Sequence, residues 1–244
     1  MRPAAGARAL GALACAAALG MSTVPAAGAQ PCRLALALGL DVSASVDAEE
    51  YRMQLEGVAA ALTAPPVRDA ILHGGGTVAL AVYEWSGWED QRLVLDWTPV
   101  TDRAVLDGVA ARLVATSRAE MSDSTALGMA LIEGGRLLAR APSCWRRVLD
   151  ISGDGKNNDG ADPDMLDDEP ALAGVTVNAL VIGADTMLLG DLRAVDIGEL
   201  SSYFNAHVIR GPGAFVQVAL GFQDYERAMT RKLLREVAPA AMSA

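Results

Sequence analysis

The sequence predicts an α/β fold: a doubly wound, mostly parallel sheet in three layers, ordered 3-2-1-4-5-6 with strand 3 antiparallel. Three observations predict it. Short apolar runs alternate with stretches whose apolar residues recur at helical spacing. The first run, Leu34-Ala-Leu-Ala-Leu-Gly-Leu40, carries no charge, as a strand buried on both faces requires. Polar loops, Asp41 to Ser45 and Ser152 to Gly155 above all, follow such runs, where open α/β sheets bind their ligands.

The elements follow in order. After the first strand, Asp47-Ala-Glu-Glu50 reads as the acidic first turn of a helix. Tyr51, Leu55, Val58 and Leu62 form its inner face, and Pro65-Pro66 ends it, with a short turn over Val67 to Leu72 before Gly74-Gly-Gly76. Thr77 to Glu84 is the second strand and Arg92 to Trp97 the third. The short link Trp85 to Gln91 makes the two a hairpin, hence antiparallel. A helix spans Asp102 to Thr116, a polar stretch Arg118 to Ser124, and a further helix Thr125 to Ala139. Trp145 to Ile151 is the fourth strand, Val175 to Ile182 the fifth, and Ala206 to Ile209 a short sixth, with a helix over Asp191 to Ser201 between the last two. Phe222, Tyr225, Met229, Leu233 and Val237 line a final amphipathic helix.

The chain has 244 residues, 52% of them hydrophobic, enough for one sizeable core. Residues 1–29 read as a secretory leader: Arg2 and Arg8, an apolar run from Ala9 to Met21, then the small-residue site Ala27-Gly-Ala29. Residues 30–244 are expected to form the domain. Ala12-Leu13-Ala14 before Cys15 makes a poor lipobox, and the apolar run is too short to span a membrane. The protein is expected in the periplasm or outside the cell, without a transmembrane segment, as a monomer. The formal charge of −10 falls to −12 once Arg2 and Arg8 leave with the leader, which argues against nucleic acid and anionic membrane.

Right-handed crossovers put the carboxyl ends of the parallel strands at one edge of the sheet. Asp41, Ser43 and Ser45 lie there, as do the hairpin, Thr125 and Asp154. Strands 1 and 4 flank the topological switch point, so these residues converge on one crevice. Asp41, Ser43 and Ser45 offer three hard oxygen donors at alternate positions, which suit a small hard cation such as Mg²⁺, with Mn²⁺ or Ca²⁺ as alternatives. Taken singly, Thr125 reads equally well as a helix cap and Asp154-Gly155 as a turn. At the opposite edge, Cys32 and Cys144 each precede one of these neighbouring strands. They are the only cysteines of the exported chain, and a disulfide between them is expected.

Asp41-Val-Ser-Ala-Ser45, Thr125 and Asp154-Gly155, in this order, resemble the metal-ion-dependent adhesion site of a von Willebrand factor A domain. Trp85-Ser-Gly87, Ile151-Ser-Gly-Asp-Gly155 with Asn157-Asn158, and Gly211-Pro-Gly-Ala-Phe-Val216 are similar to a proteobacterial family of exported von Willebrand A-like proteins with no established activity. The resemblance implies that Ser43, Ser45 and Thr125 give hydroxyl oxygens to a metal, and that Asp41 and Asp154 bind it directly or through water. A partner protein's Asp or Glu would take the remaining position, so the function it implies is an exported adhesion-type binding module. The alternatives are a structural domain without metal and a metal-assisted hydrolase.

Other features are weaker. Trp85, Trp88 and Arg118 are candidate partner-binding residues at the rim, Trp88 the better exposed. The acidic stretch from Asn157 to Glu169 does not fit the spacing of a Ca²⁺ loop and reads as a solvated loop. His73-Gly-Gly-Gly76 resembles an esterase oxyanion loop, but the chain holds no G-x-S-x-G elbow, and no nucleophile–base pair is evident.

Overall fold

The computed structural model describes residues 30–183 and 190–238, the side chains of 190–195 excepted. The expected leader, residues 1–29, lies outside the described residues. Six strands form one sheet in the order β3-β2-β1-β4-β5-β6. They are β1 (Cys32–Asp41), β2 (Thr77–Trp85), β3 (Gln91–Val100), β4 (Cys144–Gly153), β5 (Thr176–Ile182) and β6 (Val216–Ala219). Only β3 runs antiparallel to its neighbour. The helices are α1 (Ala48–Thr63), α2 (Pro65–His73), α3 (Arg103–Val114), α4 (Leu127–Ala139), α5 (Gly190–Tyr203) and α6 (Tyr225–Val237). This is the expected three-layer order.

The alternation along β1 divides the core in two. Leu34, Leu36, Leu38 and Leu40 point into the layer of α1, α2, α3 and α6, while Ala35 and Ala37 face α4. Small residues on the second face let α4 approach closely. A Cβ on Gly134 would lie 2.5 Å from a methyl of Leu149, and the Tyr83 hydroxyl, buried beneath the helix, donates to the Ala130 carbonyl at 2.7 Å.

Two expectations are corrected. Pro65 does not merely end a helix; it begins α2. A proline has no N–H to leave unsatisfied, so the first helical position costs it nothing. The sixth strand is Val216–Ala219, whereas Ala206 to Val208, expected in it, lie in a π-helical turn, Phe204–Val208, that continues α5, with Ile209 as its extended C-cap. Phe204 and Val208 sit four apart and are both fully buried, a helical pairing that the short run concealed. Arg210 bridges Val177 at the start of β5, leaving only Ala179 to Ile182 for β6 to pair with.

At the lower edge Cys32 pairs with Cys144 in the β1–β4 register, and the expected disulfide joins them with Cα atoms 4.5 Å apart. Beside it Arg33, almost fully buried, donates to Val237 O at 2.5 Å and Ala70 O at 2.6 Å, and Arg146 donates to Glu236 O and Ala238 O at 3.2 Å. Two guanidinium groups thus satisfy the carbonyls left open at the ends of α2 and α6.

A buried ion cluster fastens α6 to the sheet. Lys232 Nζ lies 2.5 Å from Glu236 Oε1 and 2.7 Å from Asp150 Oδ1, all three side chains being excluded from solvent. Asn178 donates to the same Glu236 oxygen at 2.8 Å. Lys232 approaches Asp150 without a well-aligned hydrogen bond, since neither Asp150 oxygen accepts one among the described residues. Burial, and then the charge of Glu236, push Asp150 up to about 8.

Two measurements follow from this frame. Cys144→Ser is expected to lower unfolding stability by about 2–5 kcal/mol in a denaturant titration under oxidising conditions. Asp150 holds its proton in the folded chain up to about pH 8 and releases it near pH 4 when unfolded, so its contribution is lost as pH rises between those values. Melting curves from about pH 5 to about pH 9 should therefore show Asp150→Asn gaining on wild type as pH rises.

Candidate metal centre

β1 ends on Asp41, and Val42–Val46 carries the chain to α1. Asp47 caps that helix through a reciprocal box: its Oδ1 accepts from Glu49 N and Glu50 N at 2.8 and 2.9 Å, and Glu50 accepts from Asp47 N at 2.8 Å. The loop is thus pinned at both ends, and its hydroxyls are confined to the top of the sheet.

Asp41 is fully buried. Its Oδ1 accepts from Ser43 N at 2.9 Å; its Oδ2 has no hydrogen-bond partner among the described residues. Ser43 Oγ lies 3.2 Å from Ser45 Oγ, which donates to Asp154 Oδ1 at 2.6 Å. Asp154 follows β4 through Gly153, where an added Cβ would sit 3.3 Å from Asp41 Oδ2. A side chain there would fill the space beside the orphaned oxygen. Thr125 Oγ1 lies 3.7 Å from the position of a Cβ on Gly155. The loops bring Asp41, Ser43, Ser45 and Asp154 together, and Thr125 lies against Gly155 beside them.

Burial first, then the neighbouring Asp154 charge, raise Asp41 to about 7, and burial raises Asp154 as well. Two desolvated carboxylates share the crevice. The guanidinium bound to this loop is spent on backbone: Arg118 donates to the carbonyls of Val42, Ser43 and Val46. A buried anionic oxygen without a partner is costly unless a cation or a proton satisfies it. The donors are all hard oxygens, so the set fits Mg²⁺, Mn²⁺ or Ca²⁺. Among the described residues no group of three or more His, Cys, Asp or Glu is placed to hold a metal, so any cation here depends on the Ser and Thr hydroxyls.

Thr125 does not cap α4. The helix starts two residues later than expected, at Leu127, and Ala126 at its cap makes no side-chain bond. Instead Asn158 clamps Thr125 from both sides, Oδ1 accepting from Thr125 N at 2.8 Å and N donating to Thr125 O at 3.0 Å. Asn157 accepts from Gly128 N at 3.2 Å. This pair holds the loop after β4 against the start of α4. Gln54 donates to Asp41 O at 2.9 Å. It stands on the inner stripe of α1 beside Tyr51, Leu55 and Val58, and a polar residue on an otherwise apolar stripe is a signal that could have found it.

One rim expectation is corrected. Trp85 is fully buried beside Gly153 and cannot meet a partner. Arg118 is exposed, as expected at a rim, and its guanidinium also donates to carbonyls of the Val42–Val46 loop. Trp88 remains, 54% exposed, its backbone N donating to Asp159 Oδ2 at 3.1 Å. The acidic stretch is divided among local partners: Asp159 with Trp88, Asp164 with His207 at 2.6 Å, Asp167 near Arg210 at 3.9 Å. His73-Gly-Gly-Gly76 lies at the lower edge, across the sheet from Asp41.

Comparison with known proteins agrees with this architecture. A family model described as "Protein of unknown function (DUF1194)" matches residues 31–241. The fold is similar to that of proximal thread matrix protein 1 from the mussel byssus, in a structure with a zinc-occupied MIDAS motif. That match has 15% identity and a TM-score of 0.53, over 85% of this chain and 46% of that one. A von Willebrand factor type A structure from Catenulispora acidiphila matches at 15% identity and TM-score 0.54, covering 87% and 47%. The pilus adhesin SpaC from Lactobacillus rhamnosus GG matches at 10% identity and TM-score 0.55, covering 86% and 32%. The chain spans less than half of each of these three structures. These likenesses establish a von Willebrand A fold. No curated protein matches the sequence.

The raised carboxyls set a pH test. In EDTA the folded chain keeps on Asp41 a proton that the unfolded chain loses near pH 4, so this contribution to stability falls as pH rises to about 7. Thermal melts in EDTA should show Asp41→Asn with a shallower loss of stability between about pH 5 and pH 7.5 than wild type.

Proposed function

The chain belongs to the DUF1194 family, and we propose that it is an exported, adhesion-type protein-binding module that works through a divalent cation. Asp41, Ser43, Ser45, Thr125 and Asp154 would hold the cation, Mg²⁺ first, with Mn²⁺ or Ca²⁺ as alternatives. The observation that carries the reading is the orphaned Asp41 Oδ2, buried next to Asp154 among hydroxyls and with no protein cation on it. When bound, a divalent cation supplies a positive centre with a position open to a partner's carboxylate.

The chain's own residues supply the rest. Asp41 and Asp154 provide the negative charge that draws a cation in. Ser43, Ser45 and Thr125 add neutral oxygens, so the two carboxylates at most neutralise the cation and no excess negative charge at the metal opposes an incoming Asp or Glu. Elsewhere the surface is acidic, −12 without the leader, and it repels an anionic partner except at that point. The fitting partner is a protein that presents one carboxylate on an otherwise basic surface. Trp88 at the rim, large and half exposed, is placed to pack against it. Nothing in this arrangement calls for turnover, and the reading is of a binder, not an enzyme. The mussel structure with zinc in its MIDAS motif supports the metal part of the reading.

Calorimetry with Mg²⁺ and Mn²⁺ tests it. Wild type should bind, and Asp41→Ala should lose binding while keeping its fold by circular dichroism. Thr125→Ala removes a neutral donor and should cost about tenfold, about 1.4 kcal/mol. Trp88→Ala should leave metal affinity unchanged and weaken partner capture, by about 2 kcal/mol for a central anchor. A wild type that binds neither metal at millimolar concentration, or an Asp41→Ala variant that binds as well, would overturn the reading.

A further inference from the structure

The residue that gives the cation loop its shape is not among its ligands. We propose that Arg118 is the positioning residue of the site. It holds the backbone of Val42–Val46 in the conformation that turns the Ser43 and Ser45 hydroxyls toward Asp154. The inference rests on the cation-binding reading of that loop.

The argument starts from the loop's peptide groups. Ser43 N is taken by Asp41 Oδ1, Ala44 N by Asp123 O at 3.3 Å, and Val46 N by Ser43 O at 3.1 Å. The carbonyls on the other side converge on one guanidinium. Arg118 Nη2 donates to Val42 O at 3.1 Å and Ser43 O at 3.3 Å, and Nη1 donates to Val46 O. A carbonyl's direction sets the tilt of its peptide plane, and with it the direction of the next side chain. A planar fork with fixed N–H directions can satisfy three carbonyls at once, which a lysine's single ammonium cannot do in the same geometry. The hydroxyl chain Ser43–Ser45–Asp154 consists of only two contacts, too few to set the loop alone.

Arg118 is itself held in place. Its guanidinium lies 5.8 Å from the centre of the Tyr51 ring. The Tyr51 hydroxyl donates at 2.7 Å to Glu84, buried on β2, and Arg92 grips the other Glu84 oxygen at 2.5 and 2.9 Å. Arg92 also donates to Ser117 O at 2.8 Å, and Arg52 donates to Val114 O at 2.8 Å and Thr116 O at 3.0 Å. Arg52 and Arg92 thus fix residues 114–117, the run that delivers Arg118 to the loop. The frame reaches from the second strand to the metal loop and meets it only at backbone carbonyls, that of Ser43 among them, not at the ligating side chains.

The sign of one measurement separates this role from a plain charge effect. A guanidinium beside a cation site repels the cation, so by Coulomb's law alone its removal tightens binding. A positioning role requires the opposite. Mn²⁺ affinity is measured by calorimetry for wild type, Arg118→Ala, Arg118→Lys and the exposed control Arg103→Ala. Melting temperatures in EDTA are recorded for each. The expected result is a loss of about tenfold or more in Arg118→Ala. A smaller loss is expected in Arg118→Lys, which keeps the charge but not the fork. Arg103→Ala should bind as wild type does, and the EDTA melting temperatures of both Arg118 variants should stay close to wild type. Unchanged or tighter Mn²⁺ binding in Arg118→Ala overturns the inference. If that variant does not fold, Arg118→Lys decides, and wild-type affinity there overturns it. A wild type that binds no Mn²⁺ sinks the binding-module reading and this inference with it. A wild type that binds while the Arg118 variants match it sinks the inference alone.

Discussion

The parallel pairing of β1 with β4 is the contact on which the rest of this structure depends. Cys32 faces Cys144 at the lower end of the register and Gly39 faces Ile151 near the upper end. Each strand then runs out into a polar loop. Because both strands are parallel and adjacent, their lower ends are close enough for a disulfide and their upper ends for two aspartates. One register thus sets the geometry of the covalent staple and of the crevice. A shift of one residue in that pairing would move Asp41 away from the end of β4 and turn its side chain to the other face of the sheet.

The same strand shows two treatments of buried acid. Asp150 projects toward α6, where Lys232 stands 2.7 Å away between it and Glu236, and Asn178 donates to Glu236, although both Asp150 oxygens and Glu236 Oε2 accept no hydrogen bond among the described residues. Asp154, four residues on, meets Asp41 in the crevice with hydroxyls for company and no lysine. The first pair of carboxylates has its counterion built in. The second has an open buried oxygen, Asp41 Oδ2, and no lysine or arginine paired to it among the described residues, at a place where Gly153 and Gly155 keep side chains out. That contrast within a single strand is what supports an external cation at the upper edge and a structural role at the α6 face.

The loops around the crevice are rigid for identifiable reasons. Asn157 and Asn158 fasten the loop after β4 to the start of α4, Gln54 holds the last carbonyl of β1, and Arg118 holds the loop that follows. None of these groups is a candidate ligand. A constellation of short side chains such as Ser and Thr cannot reach across gaps, so the accuracy of its backbone matters more than it would for long carboxylates.

The sequence by itself determined the sheet order, the antiparallel third strand and the pairing of Cys32 with Cys144, and it put Asp41, Ser43, Ser45, Thr125 and Asp154 in loops at one edge of the sheet. These follow from local patterns, an uncharged apolar run and polar strand ends, combined with the handedness of crossovers. Tertiary structure alone decided what depends on competition for a surface. Ala206–Ile209 looked like a strand, but burying Phe204 and Val208 against one layer required helical spacing, and the edge of β5 went to Val216–Ala219. Trp85 looked like a rim residue because it ends a strand, and the alternation of β2 turned it inward, to the α4 face. Arg118 looked like a partner-binding residue at the rim. Its role came from three backbone carbonyls of another loop, and carbonyls are common to every residue, so no side-chain pattern could have announced it.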